Sequence, residues 1–268
     1  MRSAVVSVTD GTAAWLGFDP GADHYLAFPY WAPDSSRVLM QWMNRGQDTL
    51  RLFWCDLDTG EKTLIHEERQ QEWVQFYKDI EMLSDGSGFL FTSDVDGWNH
   101  IYLHDMDGKL KSRLTSGSWR VRSIETVDED GGWVYFSGSP GKSWDSNPMR
   151  VDLTGEELET LAAEGGTHSV EVSPSGAYVI DTLSSIQHPL RMQLHRGDGS
   201  LVRELGDQRI PATEEYAWGR SELFTIKSTD GKYKLPATWV LPPELEPDRR
   251  YPVIVSIYGG PASGTVRN

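Results

Sequence analysis

Two families of glycine-bearing turns alternate along this chain at one shared spacing, and that spacing limits the fold more than anything else in it. The segments VVSVTDGTAAWLG, LFWCDLDTGEKTLI, IYLHDMDGKLKSRLT, MRVDLTGEELETLA and MQLHRGDGSLVREL each hold an alternating strand, a tight turn closing on glycine and a second short strand. Their glycines, Gly11, Gly60, Gly108, Gly155 and Gly199, lie 49, 48, 47 and 44 residues apart. Glycine supplies the positive φ that a short hairpin turn demands. Between them runs a second family, APDSSRVLMQW, LSDGSGFLFTS, DEDGGWVYFSG and SPSGAYVIDTL, whose first strongly apolar residues, Val38, Phe89, Trp133 and Tyr178, are spaced by 51, 44 and 45. Each repeat therefore holds two hairpins, or four strands, which is the pattern of a propeller blade. A set of unrelated hairpins in a β-sandwich has no reason to keep two interleaved families at one period. Four repeats behind a leading hairpin make either a minimal ring or half of a larger one, because closed propellers take about four to eight blades.

The period ends after Leu205. Residues 206–220, GDQRIPATEEYAWGR, read as a crossover. SELFTIKSTDGKYKLPATWVLPP is then a hairpin turning at Asp230-Gly231, and PVIVSIYGGPASG follows a charged loop. Val253 to Tyr258 is a nearly continuous apolar run, as expected of a strand buried on both faces in the central sheet of an α/β protein. It leads into Gly259-Gly260-Pro261, and a glycine turn at the carboxyl edge of such a strand is where α/β-hydrolases build part of an oxyanion hole. The expected architecture is mostly β: residues 1–208 a partial propeller of about four four-stranded blades, residues 209–268 the first strands of an α/β-hydrolase domain.

Composition narrows the partners. The net charge of −15 disfavours nucleic acid and anionic membrane surfaces. Cys55 is the single cysteine, which removes internal disulfides and thiolate zinc sites. No apolar run is long enough for a signal peptide or a membrane span. As given, the chain reads as cytoplasmic, with a periplasmic or secreted parent open if a leader was lost. No cofactor is expected. His100 and His104 stand four apart, but in an alternating strand that places them about 13 Å from each other, too far to share a metal. Asp94, Asp96 and Gly97 read as a turn, since a calcium loop needs further ligands and a terminal Glu. Glu67-Glu68 reads as a solvated turn.

Three segments carry a resemblance. The tail FTIKSTDGKYKLPATWVLPPELEPDRRYPVIVSIYGGP resembles the propeller-to-hydrolase junction of the prolyl oligopeptidase family, in its dipeptidyl peptidase IV branch. DHYLAFPYWAPDSSRVLMQWMNRGQDTL and SDVDGWNHIYLHDMDGKLKSRLTSGSWRV resemble propeller segments of that branch. The resemblance runs in order over most of residues 22–262. It implies an eight-bladed propeller capping a serine hydrolase that releases X-Pro or X-Ala dipeptides from peptide N-termini, with peptide as substrate and a homodimer as a family trait. It implies that Tyr258 donates its hydroxyl to the oxyanion hole. It also places EWVQFYKD near a substrate pocket, so Phe76 or Tyr77 is expected to face it; blade-core packing is the alternative for both.

The rest of the machinery is not in these residues. GPASG has its serine one place late for a G-x-S-x-G elbow, and GKSWD lacks the final glycine. The branch's paired glutamates precede the region matched by DHYLAFPYW. The chain is therefore expected to be a truncated and inactive part of a serine exopeptidase. The competing reading is a non-catalytic propeller that acts as a binding or scaffold module.

Overall fold

The computed structural model describes residues 2–162, 165–246, 248–259 and 264–268. A short hairpin, β1 (Ala4–Val6) with β2 (Ala13–Trp15), precedes four four-stranded antiparallel sheets, each a meander. The first blade is β3 (His24–Trp31), β4 (Arg37–Asn44), β5 (Thr49–Asp56) and β6 (Lys62–Arg69). The second is β7 (Glu81–Met82), β8 (Phe89–Ser93), β9 (His100–His104) and β10 (Leu110–Arg113). The third is β11 (Val121–Asp128), β12 (Trp133–Gly138), β13 (Asn147–Asp152) and β14 (Leu158–Thr160). The fourth is β15 (Thr167–Val172), β16 (Tyr178–Ser184), β17 (Arg191–Arg196) and β18 (Leu201–Asp207). A 3-10 helix at Pro211–Glu215 leads to the hairpin β19 (Arg220–Lys227) and β20 (Lys234–Leu241). This is a partial β-propeller.

The core lies between blades rather than inside a sandwich. Leu39, Leu50, Leu52 and Trp54 of the first blade pack on Ile80, Phe89 and Phe91 of the second. Leu90, Ile101 and Leu103 of the second pack on Val121, Val134 and Phe136 of the third. Tyr135 of the third meets Val170 and Val179 of the fourth. A sheet gripped from both sides buries both faces of its middle strands, so the alternation in the sequence does not become an alternation of core and solvent. All five residues of β9 are buried, His100 and His104 included. His100 is satisfied there by Thr115 Oγ1 at 3.0 Å and the Gly117 carbonyl at 2.9 Å. β18, by contrast, is exposed along its whole length.

The periodic glycines do more than turn the chain. Gly60, Gly108, Gly155 and Gly199 all have positive φ, and a Cβ on any of them would press on backbone of the preceding outer strand or the loop after it. At Gly108 it would run into the Ile65 carbonyl; at Gly199 it would lie 2.7 Å from the Leu161 oxygen. Each hairpin tip is thus a blade-to-blade contact.

The tail differs from its expectation. Residues 251–259 adopt no regular structure, and Val253, Ile254, Val255 and Ile257 are 80, 97, 76 and 89% exposed. A strand buried on both faces needs hydrogen-bonding neighbours at its edges and layers above and below, and no described strand lies beside this one. Gly260 and Pro261, the end of the expected glycine turn, lie outside the described residues.

Candidate functional site

A cavity of about 600 Å³ opens where the β6–β7 loop, the β8–β9 turn and the start of β11 converge. Its floor is built around Tyr77, which is held at every polar atom. Gln41, fully buried on β4, donates Nε2 to the Tyr77 carbonyl at 2.6 Å and accepts the Tyr77 N–H at 2.9 Å. The phenol donates to Glu68 Oε2 at 2.5 Å, and His66 Nε2 lies 3.2 Å from the same hydroxyl. Tyr30 donates its own hydroxyl to the Lys78 carbonyl one residue on. The loop is therefore riveted to β3, β4 and β6.

Glu68 is the centre of the network. It is 4% exposed and also accepts from Ser93 Oγ at 2.5 Å and from Gln70 Nε2 at 2.6 Å. The expectation of a solvated Glu67-Glu68 turn is corrected by these contacts. The two residues stand in β6, where period 2 sends them to opposite faces: Glu67 out to Arg51 and Arg69, Glu68 in beside Tyr77. Three donors offset the cost of burying a carboxylate. Burial, with the Glu68 charge beside it, pushes the Tyr77 phenol well above its usual range, so it stays a proton donor.

Pinning Tyr77 leaves Gln75 and Lys78 exposed on either side and Phe76 half-buried. Phe76 lines the cavity, and its ring packs edge-on against Phe28 with 5.6 Å between centroids. Phe28 sits at a bulge in β3 with φ of 48°, the left-handed region. Pro29 follows it and disfavours the right-handed helical alternative. Such a conformation costs a bulky residue about 1–3 kcal/mol and concentrates at functional surfaces. The cavity brings together Phe76 and Tyr77: Phe76 is half-buried, lining the cavity while packing against the core of the first two blades, and Tyr77 belongs to that core at 4% exposure. Tyr258 stands apart, 70% exposed on the irregular tail and lining neither cavity described here.

A smaller cavity of about 280 Å³ lies between the third and fourth blades, with Arg122 in both walls. Its lining includes Trp144, His168 and Arg267. His168 Nδ1 is 2.7 Å from Asp181 Oδ2, both buried. The tail reaches this site through Asn268, whose Nδ2 donates to Asp145 Oδ1 and whose N–H donates to the Trp144 carbonyl. Among the described residues no group of three or more His, Cys, Asp or Glu is placed to hold a metal.

The sequence profile described as "Dipeptidyl peptidase IV (DPP IV) N-terminal region" matches residues 2–190. The chain belongs to the dipeptidyl peptidase IV family. It is 25% identical over 265 residues to a "Probable dipeptidyl peptidase 4" of Arthroderma benhamiae, covering 96% of this chain and 32% of that protein. Against dipeptidyl peptidase 4 of Trichophyton equinum the identity is again 25%, with 96% of this chain and 32% of the relative covered. The crystal structure of Porphyromonas gingivalis dipeptidyl peptidase 4 superposes with a TM-score of 0.89 at 26% identity, over 99% of this chain and 38% of that one. The chain thus spans about a third of the length of the dipeptidyl peptidases it matches.

Proposed function

We propose that this chain is the propeller and junction portion of a serine exopeptidase of the dipeptidyl peptidase IV type. In its longer form that protein hydrolyses peptides behind the second residue, releasing X-Pro or X-Ala dipeptides. The observation that carries this reading is Phe76: a half-buried aromatic ring lining a cavity, on a loop fixed by Gln41 and Glu68. The family match supports placing a peptide against it. In this reading the propeller presents the peptide, Phe76 packs on it, and the Tyr258 hydroxyl donates to the oxyanion formed as a serine attacks the scissile carbonyl. A preorganised donor of this kind contributes about 100–1,000-fold in rate.

The nucleophile, acid and base lie outside these 268 residues, which hold no G-x-S-x-G elbow. Two measurements test the reading. The chain as it stands is expected not to hydrolyse a Gly-Pro chromogenic substrate; turnover blocked by a serine-directed inhibitor would overturn its inactivity. In a form continued through a nucleophile elbow, Tyr258→Phe is expected to lower kcat by about 100–1,000-fold with little change in KM. An unchanged kcat would remove Tyr258 from the chemistry, and a continuation without a G-x-S-x-G would favour the scaffold reading.

A further inference from the structure

Three arginines gather at the wall between the two cavities. Arg120 and Arg122 flank Val121 at the start of β11 and so share one side of that strand; Arg120 lines the larger cavity, Arg122 lines both, and Arg267 lines the smaller. Seven other arginines of this acidic chain find a carboxylate: Arg51, Arg69, Arg113, Arg150, Arg209, Arg220 and Arg249. Arg120, Arg122 and Arg267 form no ion pair with any carboxylate among the described residues, although the protein carries 40 acidic side chains against 25 basic ones. Arg122 is held in place by backbone and hydroxyl acceptors instead: its Nε donates to Ser139 Oγ, and its Nη2 to the Ser143 and Asp145 carbonyls.

Like charges placed together raise the free energy of the fold unless an anion shares them. Here the repulsion is felt: burial, then Arg120, then Arg267 lower the hold of Arg122 on its proton, with Asp145 acting the other way. The acids facing the larger cavity do not neutralise the group. Glu68 is occupied by Tyr77, Ser93 and Gln70, Asp94 accepts from Gln70, and Asp79, the third acid of the lining, is hydrogen-bonded by the Ile124 backbone and forms no ion pair with an arginine among the described residues. Asp145 is engaged by Asn268.

We infer that Arg120, Arg122 and Arg267 form an oxyanion site that takes a carboxylate side chain of a bound peptide. A guanidinium presents a planar fork matched to a carboxylate, and a nearby pair of forks holds one with directional, charge-assisted bonds. The identity of the ligand as a peptide rests on the reading proposed above, in which the cavity beside Phe76 receives peptide. The charge of the whole molecule sharpens the expectation, because a net −15 repels an acidic peptide everywhere else.

The test is calorimetric titration of the 268-residue chain with Glu-Pro-Glu-Ala and with Gln-Pro-Gln-Ala, with inorganic phosphate as a third ligand. The acidic peptide is expected to bind at least about tenfold more tightly at low ionic strength, and the preference is expected to collapse in about 1 M salt, where the screening length is roughly 3 Å. Arg120→Gln, at an exposed position whose side chain makes no hydrogen bond among the described residues and whose backbone carbonyl keeps its bond from the Ser139 N–H, is expected to abolish most of the preference with an unchanged melting curve; Arg267→Gln is expected to act in the same direction. Equal binding of the two peptides, or a preference that survives Arg120→Gln, overturns the inference and leaves the peptide reading standing. Binding of neither peptide removes both. Phosphate binding without discrimination between the peptides means an adventitious ion only, and also overturns it.

Discussion

Glu68 and Tyr77 show how a buried charge specifies a loop. Removing the phenol hydroxyl takes one of three donors from a carboxylate that is 4% exposed. Tyr77→Phe is therefore expected to cost about 1–3 kcal/mol in urea unfolding, and a neutral result would mean that water replaces the phenol. His104 gives the pH dependence. Burial, with His66 beside it, pulls it from 6.5 down to about 4, and its ring stacks on Phe91 at 4.7 Å between centroids. Between those values the unfolded chain binds a proton that the folded chain refuses, so stability rises with pH across that window. Acidifying from pH 7 to pH 4 is expected to remove about 3 kcal/mol through this side chain. His66, also lowered by burial, adds to the loss. Asp79, raised chiefly by burial, opposes it as it protonates. Comparing urea midpoints at pH 7 and pH 5 for the protein and for His104→Phe should show a flatter dependence in the variant. Cys55 is buried and its thiol is pushed up to about 11 by that burial, so alkylation is expected only on unfolding.

At the scale of elements, the periodic glycines separate turn chemistry from packing. Gly11 and Gly108 both have positive φ, but a Cβ meets nothing at Gly11 and collides with the Ile65 carbonyl at Gly108. Gly11→Ala is expected to cost only the left-handed backbone, about 1–2 kcal/mol. Gly108→Ala is expected to cost distinctly more, because the first and second blades must part; thermal unfolding of the two variants distinguishes the cases, and equal losses would remove the interblade role. The turns themselves are legible as DG and TG between alternating strands. The close approach is not, since nothing local at Gly108 refers to Ile65, 43 residues earlier. Glu68 was legible in principle: His66 and Glu68 follow the period 2 of β6 into the same face, but a charged pair read without its partner strand looks solvated. Phe28 carries no such mark, because its left-handed φ follows from the bulge between β3 and β4.

For the whole molecule, the exposed run at Val253–Ile257 is expected to govern behaviour in solution. Unpaired apolar backbone of this kind recruits other chains. Concentration-dependent light scattering is expected for the purified chain and is expected to fall in the Ile254→Lys, Ile257→Lys double variant; a monodisperse parent would show that the run is covered by another part of the chain. The same run illustrates the limit of pattern reading. Its composition marks a strand suited to a sheet interior, yet strand formation is a property of a set of neighbours.

The spacing of glycines and apolar residues determined the blades, their number and their order, because a four-stranded meander is written in local turns and period-2 strands. The family was legible for the same reason, in motifs that stay contiguous along the chain. Only the tertiary structure decided which faces are buried, since each blade is covered by its neighbours on both sides. It decided that Tyr77 anchors while Phe76 lines the cavity, because Gln41 lies 36 residues away from the loop it holds. It placed Arg122 beside Arg267, more than 140 residues distant in the chain. Contacts of that range depend on how blades are set against one another, and no local pattern encodes them.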